Sequence, residues 1–300
     1  MTAVPDRRAQ YLRSVLAMLG AVAFFSCMDM ALKLLSASYP PMQVAALRGL
    51  TALPLVLGYT AWRRAIPSLW QIRWRLHLLR AVLSIVMLFL FSYSLRSLPL
   101  SVAYSIFFVA PLMITGLSVP LLKEKVDAAR WWAILIGLLG VLVVLRPGVG
   151  GVMTLAGGAV FAAAVCYAIA AITVRVLSRT DSSESMVFWL TVSLAFGAGV
   201  LAIPGWVPLH GSDWPVLTGL AMSGFVAQIL ITYAFRHGEA SAIAPFEYTA
   251  LAWGVAIDWL VWHVLPDRIT LLGAAIIISS GIYLIRHQSS KAFASESEHP

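Results

Sequence analysis

Ten runs of about 20 largely apolar residues leave this chain few ways to fold, because a run of that length in helical form crosses the hydrocarbon core of a bilayer. They fall near 14–35, 42–62, 77–95, 99–122, 130–146, 152–177, 186–205, 214–235, 241–263 and 268–286. Composition agrees. Hydrophobic residues make up 60% of the 300 residues and charged residues 11%, and the mean hydropathy is +0.87. A soluble protein of this size could not bury so much apolar surface. The expected fold is an all-α integral membrane protein of ten transmembrane helices. Nucleic-acid-binding, disulfide-scaffold and disordered classes are excluded by the same numbers. Both cysteines, Cys27 and Cys166, sit inside apolar runs and read as small core residues.

The connections are short and carry Pro or Gly, as at Ser36–Pro41, Arg96–Pro99, Arg146–Gly151 and His237–Ala240. Two longer links, Arg63–Leu76 and Trp206–Asp213, hold tryptophans suited to the membrane interface. Arg7, Arg8 and Arg13 precede the first run, but that run is long enough to span, contains Asp29 and lacks a small-residue cleavage site, so it is expected to stay as a helix.

The charges set the orientation. With the N-terminus in the cytoplasm, fifteen basic residues face inward: Arg7, Arg8, Arg13, Arg63, Arg64, Arg73, Arg75, Lys123, Lys125, Arg130, Arg175, Arg179, Arg236, Arg286 and Lys291. Arg96, Arg146 and Arg268 face outward. This asymmetry predicts both termini inside, in a bacterial inner membrane. It also accounts for the net charge of +8 without nucleic acid. The expected divisions are a cytoplasmic tail 1–13, a first five-helix unit 14–146, a second 152–286, and a disordered cytoplasmic tail 287–300.

The second unit echoes the first. Tyr93, Arg96, Ser101, Asp127 and Arg146 align without gaps on Tyr233, Arg236, Ser241, Asp267 and Arg286, and Lys33–Ser36 faces Arg175–Ser178. Five spans per copy force the two copies into opposite orientations. Inverted repeats of this kind are a transporter signature, with the substrate near the midplane between the halves.

Several stretches resemble one family. They are Leu98–Leu112 (LPLSVAYSIFFVAPL), Leu121–Lys125, Gly137–Val143, and the opening Ser26–Lys33 with Tyr39–Pro41 and Arg48-Gly49. Over about 12–286 the chain resembles the EamA-like group of the drug/metabolite transporter superfamily, with amino-acid exporters of the YddG type as the nearest functional analogy. The family often has Gly-Glu where this chain has Lys123-Glu124, and the second half has His263-Val264 there. The resemblance implies export of neutral, aromatic or hydrophobic amino acids or other small amphipathic metabolites, by alternating access. Riboflavin, nucleotide-related compounds and toxic organic cations are the substrate alternatives it leaves. A channel or a non-transporting scaffold is the alternative of another class, and the inverted repeat argues against it.

Ionisable residues inside spans are rare and usually face a cavity or a partner. Asp29 on the first span could pair with Lys33 one turn on, or with Arg48 at similar depth on the second. Either pair would clamp the helices or act as a gate. On the ninth span Glu247, Leu251, Gly254 and Asp258 share one stripe, which is expected to face inward and line a path, with Glu247 at the cavity and Asp258 nearer the outer end. Gln228, the long polar side chain in the middle of the eighth span, is a substrate-binding candidate or an interhelical hydrogen-bonding group. Arg80, near the inner end of the third, is a further substrate-binding candidate or snorkels to the interface. Tyr104, Phe107 and Phe108 on the fourth span, with Tyr248 and Trp253 on the ninth, offer aromatic faces to an amphipathic substrate. Pro111, Pro120 and Pro245 are hinge candidates. Asp29 and Glu247 could carry a proton; uncoupled facilitation is equally allowed. No nucleotide-binding loop occurs, no histidine pair has metal-ligand spacing, and no intramembrane histidine is expected to serve as a base. Neither a cofactor, a metal nor an enzymatic activity is therefore expected. One chain could contain the whole path, so the sequence sets no oligomeric state.

Overall fold

The structure is a computed structural model that describes residues 7–123, 127–145 and 155–265, with separated positions from 267 to 283. Glu124, Lys125, Arg146, Arg286 and the tail 287–300 lie outside the described residues, as does most of the first tail. The regular secondary structure of the described residues is helical, with no strand.

The helices are α1 (Arg7–Ser36), α2 (Pro41–Trp62), α3 (Trp74–Leu95), α4 (Leu100–Phe107), α5 (Val109–Leu122), α6 (Ala128–Leu145), α7 (Leu155–Leu177), α8 (Ser183–Val192), α9 (Gly199–Ala202), α10 (Trp214–His237), α11 (Ala240–Ile243) and α12 (Ala250–Trp262). Among the described residues, seven segments are long and apolar enough to cross a membrane: Ala9–Ser36, Pro41–Trp62, Trp74–Leu95, Leu100–Leu122, Leu155–Leu177, Ser183–Gly205 and Gly211–His237. Of the other three expected spans, 130–146 and 268–286 are represented by the shorter apolar stretches Trp131–Gly140 and Leu271–Ser280, and 241–263 is interrupted. Leu16, Leu57, Leu78, Leu139, Leu201 and Leu260 point outward, exposed. Only a lipid solvent makes that arrangement favourable, and the protein is a multi-pass membrane protein.

Three of the expected spans are interrupted, two of them at the hinge candidates Pro111 and Pro245. Pro111 has no N–H for the Phe107 carbonyl, and the helix steps at Phe108 between α4 and α5. Pro245 lies in a 3-10 segment, Ala244–Thr249, that separates α11 from α12. Ser193–Ala198 is a π-helical stretch between α8 and α9, a distortion often found at functional sites. Pro120 sits inside α5, three residues before the capping residue Lys123.

α1 packs against α10, and α3 against α7. α2 lies on α8 and the π stretch, and α4 lies on α12. The closest approach is at Gly49. A Cβ there would sit 2.2 Å from the Ala195 nitrogen and 2.6 Å from the Leu194 carbonyl carbon. Only a glycine lets α2 meet the π-helical backbone this closely.

α1 and α10 run antiparallel. Gln10 Nε2 donates to the His237 carbonyl at one end (3.1 Å), and the Tyr39 hydroxyl donates to Asp213 at the other. The Arg96 Nη2 donates to the Tyr39 carbonyl (2.7 Å) at the Tyr39 end of the bundle. Arg236 Nη1 donates to the Asp181 carbonyl (2.7 Å) at the opposite end. There Asp181 also accepts from the Arg73 N–H (3.2 Å) and bonds His77 (2.9 Å). Burial opposes the charge of Asp181, but the bonds from Thr180, His77 and Arg73 outweigh it and hold its carboxyl below the usual range. Its His77 partner, expected in or near a loop, lies in the first turn of α3 and is buried.

The ends of α5 and α12 share one geometry. Lys123 (φ 58°) and His263 (φ 55°) both adopt the left-handed conformation that closes a helix. A non-glycine residue is strained there, which gives a physical reason for the glycine that the resembling family often carries at this place. His263→Gly is expected to raise stability by about 0.5–1 kcal/mol. The measurement is the unfolding free energy in detergent, and a decrease would contradict the strain argument.

Tryptophans expected in the 63–76 link pack onto α8. Trp70 and Trp74 meet Trp189 edge-on (5.8 and 4.7 Å between ring centroids), and the Trp189 Nε1 donates to the Leu69 carbonyl (2.7 Å). Cys27 is exposed rather than in the core, facing away from the bundle, and Cys166 is half-buried.

Candidate functional site

Buried apolar side chains form two clusters. One gathers Leu35, Tyr39, Leu100 and Leu217 near the Tyr39 end. The other gathers Val15, Met18, Leu177 and Phe235 toward the Asp181 end. Between them lies a cavity of about 160 Å³.

Helical periodicity explains which side chains reach it. On α1, Val22, Phe25, Ser26 and Asp29 fall on one face. On α3, Arg80, Ser84, Met87 and Phe91 repeat every three to four residues. α2 contributes Arg48, and α4 with its break contributes Tyr104, Phe107 and Phe108. α7 contributes Tyr167, α10 contributes Gln228 and Thr232, and the 3-10 segment contributes Glu247.

The polar groups form small sets. Tyr104 Oη donates to Asp29 Oδ2 (2.8 Å), and Tyr167 Oη donates to Glu247 Oε1 (2.9 Å). Two carboxylates are thus each held by one tyrosine. Gln228 Nε2 donates to Thr232 Oγ1 (3.3 Å), a bond within α10 rather than to another helix. Arg80 Nη1 donates to the Met186 carbonyl (2.8 Å). Arg48 lies over the Phe25 ring (5.6 Å to the centroid). Aromatic rings close one wall: Phe91 stacks on Tyr104 (6.4 Å) and meets Phe107 edge-on (5.7 Å), and Phe107 leans on Tyr167 (5.2 Å). The ionisable and amide groups are buried: Asp29, Arg48, Arg80, Gln228 and Glu247 are each at most 9% exposed.

The cavity therefore brings together Asp29, Arg48, Arg80, Tyr104, Phe107, Phe108, Gln228 and Glu247. It leaves out Tyr248, Trp253, Lys33 and Asp258. Tyr248 packs behind the wall, edge-on to Phe108 (5.2 Å) and beside Gly137 of α6. Trp253 is 45% exposed and faces outward. The expected pair of Asp29 with Lys33 is replaced: Lys33 Nζ lies 3.0 Å from Asp258 Oδ1 and 4.0 Å from the Trp262 ring centroid. Asp29 and Arg48 face the same cavity and attract through space, but Asp29 takes its hydrogen bond from Tyr104.

The stripe on the ninth expected span is also corrected. Glu247 reaches the cavity, but the 3-10 turn separates it from the α12 part of the stripe. α4 covers Gly254, where a Cβ would lie 2.7 Å from Tyr104 Cδ2. Asp258 is fully buried rather than in reach of water. It accepts the N–H groups of Leu100 (3.2 Å) and Ser101 (2.8 Å) and the Ser101 hydroxyl (2.8 Å), capping α4.

Tyr167, Phe25 and Phe91 were not singled out by sequence. Tyr167 carries one weak signal, a lone hydroxyl-bearing ring on an alanine-rich helix. Among the described residues, no three His, Cys, Asp or Glu side chains converge as metal ligands would.

The profile of the EamA-like transporter family matches residues 12–146 and again 155–286. A riboflavin transporter of Vibrio cholerae serotype O1 is 30% identical over 255 residues, covering 84% of this chain and 85% of the relative. A pseudopaline exporter of Pseudomonas aeruginosa is 26% identical over 267 residues, 87% of this chain and 92% of the relative. An S-adenosylmethionine uptake transporter of Rickettsia prowazekii is 26% identical over 226 residues, 74% of this chain and 75% of the relative. A solved crystal structure superposes with a TM-score of 0.70 at 20% identity, covering 90% of this chain and 95% of the other, so the fold is shared. A profile that fits each half in turn, on a helical bundle around an apolar-walled cavity that holds a few ionisable groups, makes this chain a member of the EamA-like transporter family, a family of transporters rather than enzymes.

Proposed function

We propose that the chain is a secondary transporter that exports small amphipathic metabolites, neutral aromatic and hydrophobic amino acids first among them, across the bacterial inner membrane. The observation that carries this reading is the cavity, where an aromatic wall faces two arginines and two carboxylates in the middle of the bundle. An amino acid presents the complementary set: an apolar or aromatic side chain, one carboxylate and one ammonium group.

Alternating access about this cavity needs two halves that can exchange roles. Support for ten spans in two inverted repeats comes from matched details. The Arg96 bond to the Tyr39 carbonyl and the Arg236 bond to the Asp181 carbonyl occupy equivalent sequence positions at opposite ends of the bundle. The left-handed residues Lys123 and His263 are equivalent in the same way. In this reading the Asp181 end is cytoplasmic, both termini lie there, and the breaks at Phe108 and Ala244–Thr249, beside Pro111 and Pro245, give the helices places to bend. Asp29 and Glu247 are the groups that would couple transport to protons.

A second reading, riboflavin as substrate, is favoured by the Vibrio relative and by the ring wall, on which a flavin could stack. Uptake into proteoliposomes separates the two. Saturable, counterflow-competent uptake of radiolabelled phenylalanine, tryptophan and leucine is expected. Glu247→Ala should lower kcat/KM at least tenfold, about 1.4 kcal/mol of transition-state free energy. Trp253→Ala, on the outer surface, should leave it unchanged. Uptake of riboflavin alone would overturn the amino-acid reading and leave the carrier reading standing. Flux without saturation or counterflow would mark a channel. A dependence on the pH gradient that Asp29→Asn or Glu247→Gln abolishes would identify the coupling group.

A further inference from the structure

Two buried arginines face the cavity. Arg48 and Arg80 are 8% and 4% exposed, yet neither forms an ion pair with a carboxylate among the described residues. Lys33, by contrast, has Asp258. Arg80 spends one N–H on the Met186 carbonyl. Arg48 makes no hydrogen bond among the described residues and rests over Phe25. A guanidinium offers five N–H donors, so most of the donors on this pair are unused. The two groups also repel each other through space. Asp29 attracts Arg48 through space, but neither Asp29 nor Glu247 touches a guanidinium, and each takes its hydrogen bond from a tyrosine hydroxyl. Buried charges are ordinarily paired. Two like charges aimed into one apolar-walled cavity are an arrangement that an anion completes.

We propose that Arg48 of α2 and Arg80 of α3 together form a docking subsite for the carboxylate of the substrate, so that the molecules carried have one carboxylate and an aromatic or apolar body. The inference deepens the transporter reading and rests on it only in taking this cavity as the substrate site. Guanidinium is suited to the task because its planar fork matches a carboxylate with two parallel hydrogen bonds. The ring wall of Phe91, Tyr104 and Phe107 then receives the apolar body.

The test uses purified full-length protein in detergent, with phenylacetate as the probe: an aromatic ring and a carboxylate, without an ammonium group. Benzyl alcohol is the neutral comparison. Phenylacetate is expected to raise the thermal unfolding midpoint saturably, and benzyl alcohol to have little effect. Arg48→Gln and Arg80→Gln should each raise the half-saturating phenylacetate concentration at least tenfold. Arg48→Lys, which keeps the charge and loses the fork, should fall between. Without ligand, Arg48→Gln should unfold at the wild-type midpoint or above it, since an unpaired buried charge has gone. A lowered midpoint without ligand, combined with an unchanged phenylacetate response, would mark Arg48 as a structural clamp and overturn the proposal. So would equal stabilisation by phenylacetate and benzyl alcohol. Arginine-dependent phenylacetate binding without uptake of any amino acid would sustain the subsite and refute amino-acid transport. Uptake of phenylalanine at unchanged KM in both glutamine variants would sustain the transporter and refute the subsite.

Discussion

Asp258→Ala is expected to destabilise the protein by about 3–5 kcal/mol, the range for removing one partner of a buried ion pair. The loss has two sources. Lys33, with a side chain only 14% exposed, is left with an ammonium group held by the Trp262 ring alone. The Leu100 and Ser101 N–H groups and the Ser101 hydroxyl lose their acceptor, and α4 loses its cap. Because α4 carries Tyr104 and Phe107 to the cavity, uptake should fall along with stability. Denaturant titration in detergent measures the first effect. Lys33→Met combined with Asp258→Asn removes both charges and should recover more than half of the loss, since the buried unpaired charge is the larger part of it. A loss below about 1 kcal/mol for Asp258→Ala would mean that water reaches the site on opening and the pair is no lock.

Gly49→Ala is the second large effect. The added methyl would meet backbone atoms of Leu194 and Ala195 at 2.2–2.7 Å, and backbone cannot swing aside as a side-chain tip can. α2 and the π-helical stretch must separate. Overpacking of this kind costs about 1–3 kcal/mol or more. It should also disturb the cavity, because Arg48 precedes Gly49 and Leu194 lines the cavity wall. Gly58→Ala, on the same helix with open space at its Cβ, is the control expected to be neutral or mildly stabilising. The comparison is made on unfolding midpoints of the two variants. Equal midpoints would show that the α2 contact yields easily.

The legible part of the site was the part governed by solvent. Asp29, Arg48, Arg80, Gln228 and Glu247 stand out in a sequence because a bilayer penalises polar groups that do not turn inward, and they do turn inward to one cavity. Which group each one meets was not legible. Asp29 has Lys33 one helical turn away, yet Lys33 goes to Asp258, 225 residues further along the chain. That partner is supplied by α12 packing on α4 and α1, a contact that periodicity cannot see. Trp253 and Tyr248 show the same limit: an aromatic residue is compatible with lipid, with core and with a cavity, so composition does not choose among them. Tyr167 carries only a weak signal for that reason, and its bond to Glu247 gives it a role.

Sequence by itself determined the solvent this protein lives in, the approximate ends of its helices, the internal echo between its halves and the ionisable residues that must be shielded. These follow from hydropathy, from charge and from local periodicity, which each segment carries within itself. Tertiary structure alone decided where the π-helical break falls, which carboxylate receives which tyrosine or lysine, and that two arginines face the cavity with no carboxylate in contact. Those outcomes depend on distances between segments far apart in the chain. Interhelical distance is set by packing, down to the missing Cβ of Gly49, and no single helix holds that information.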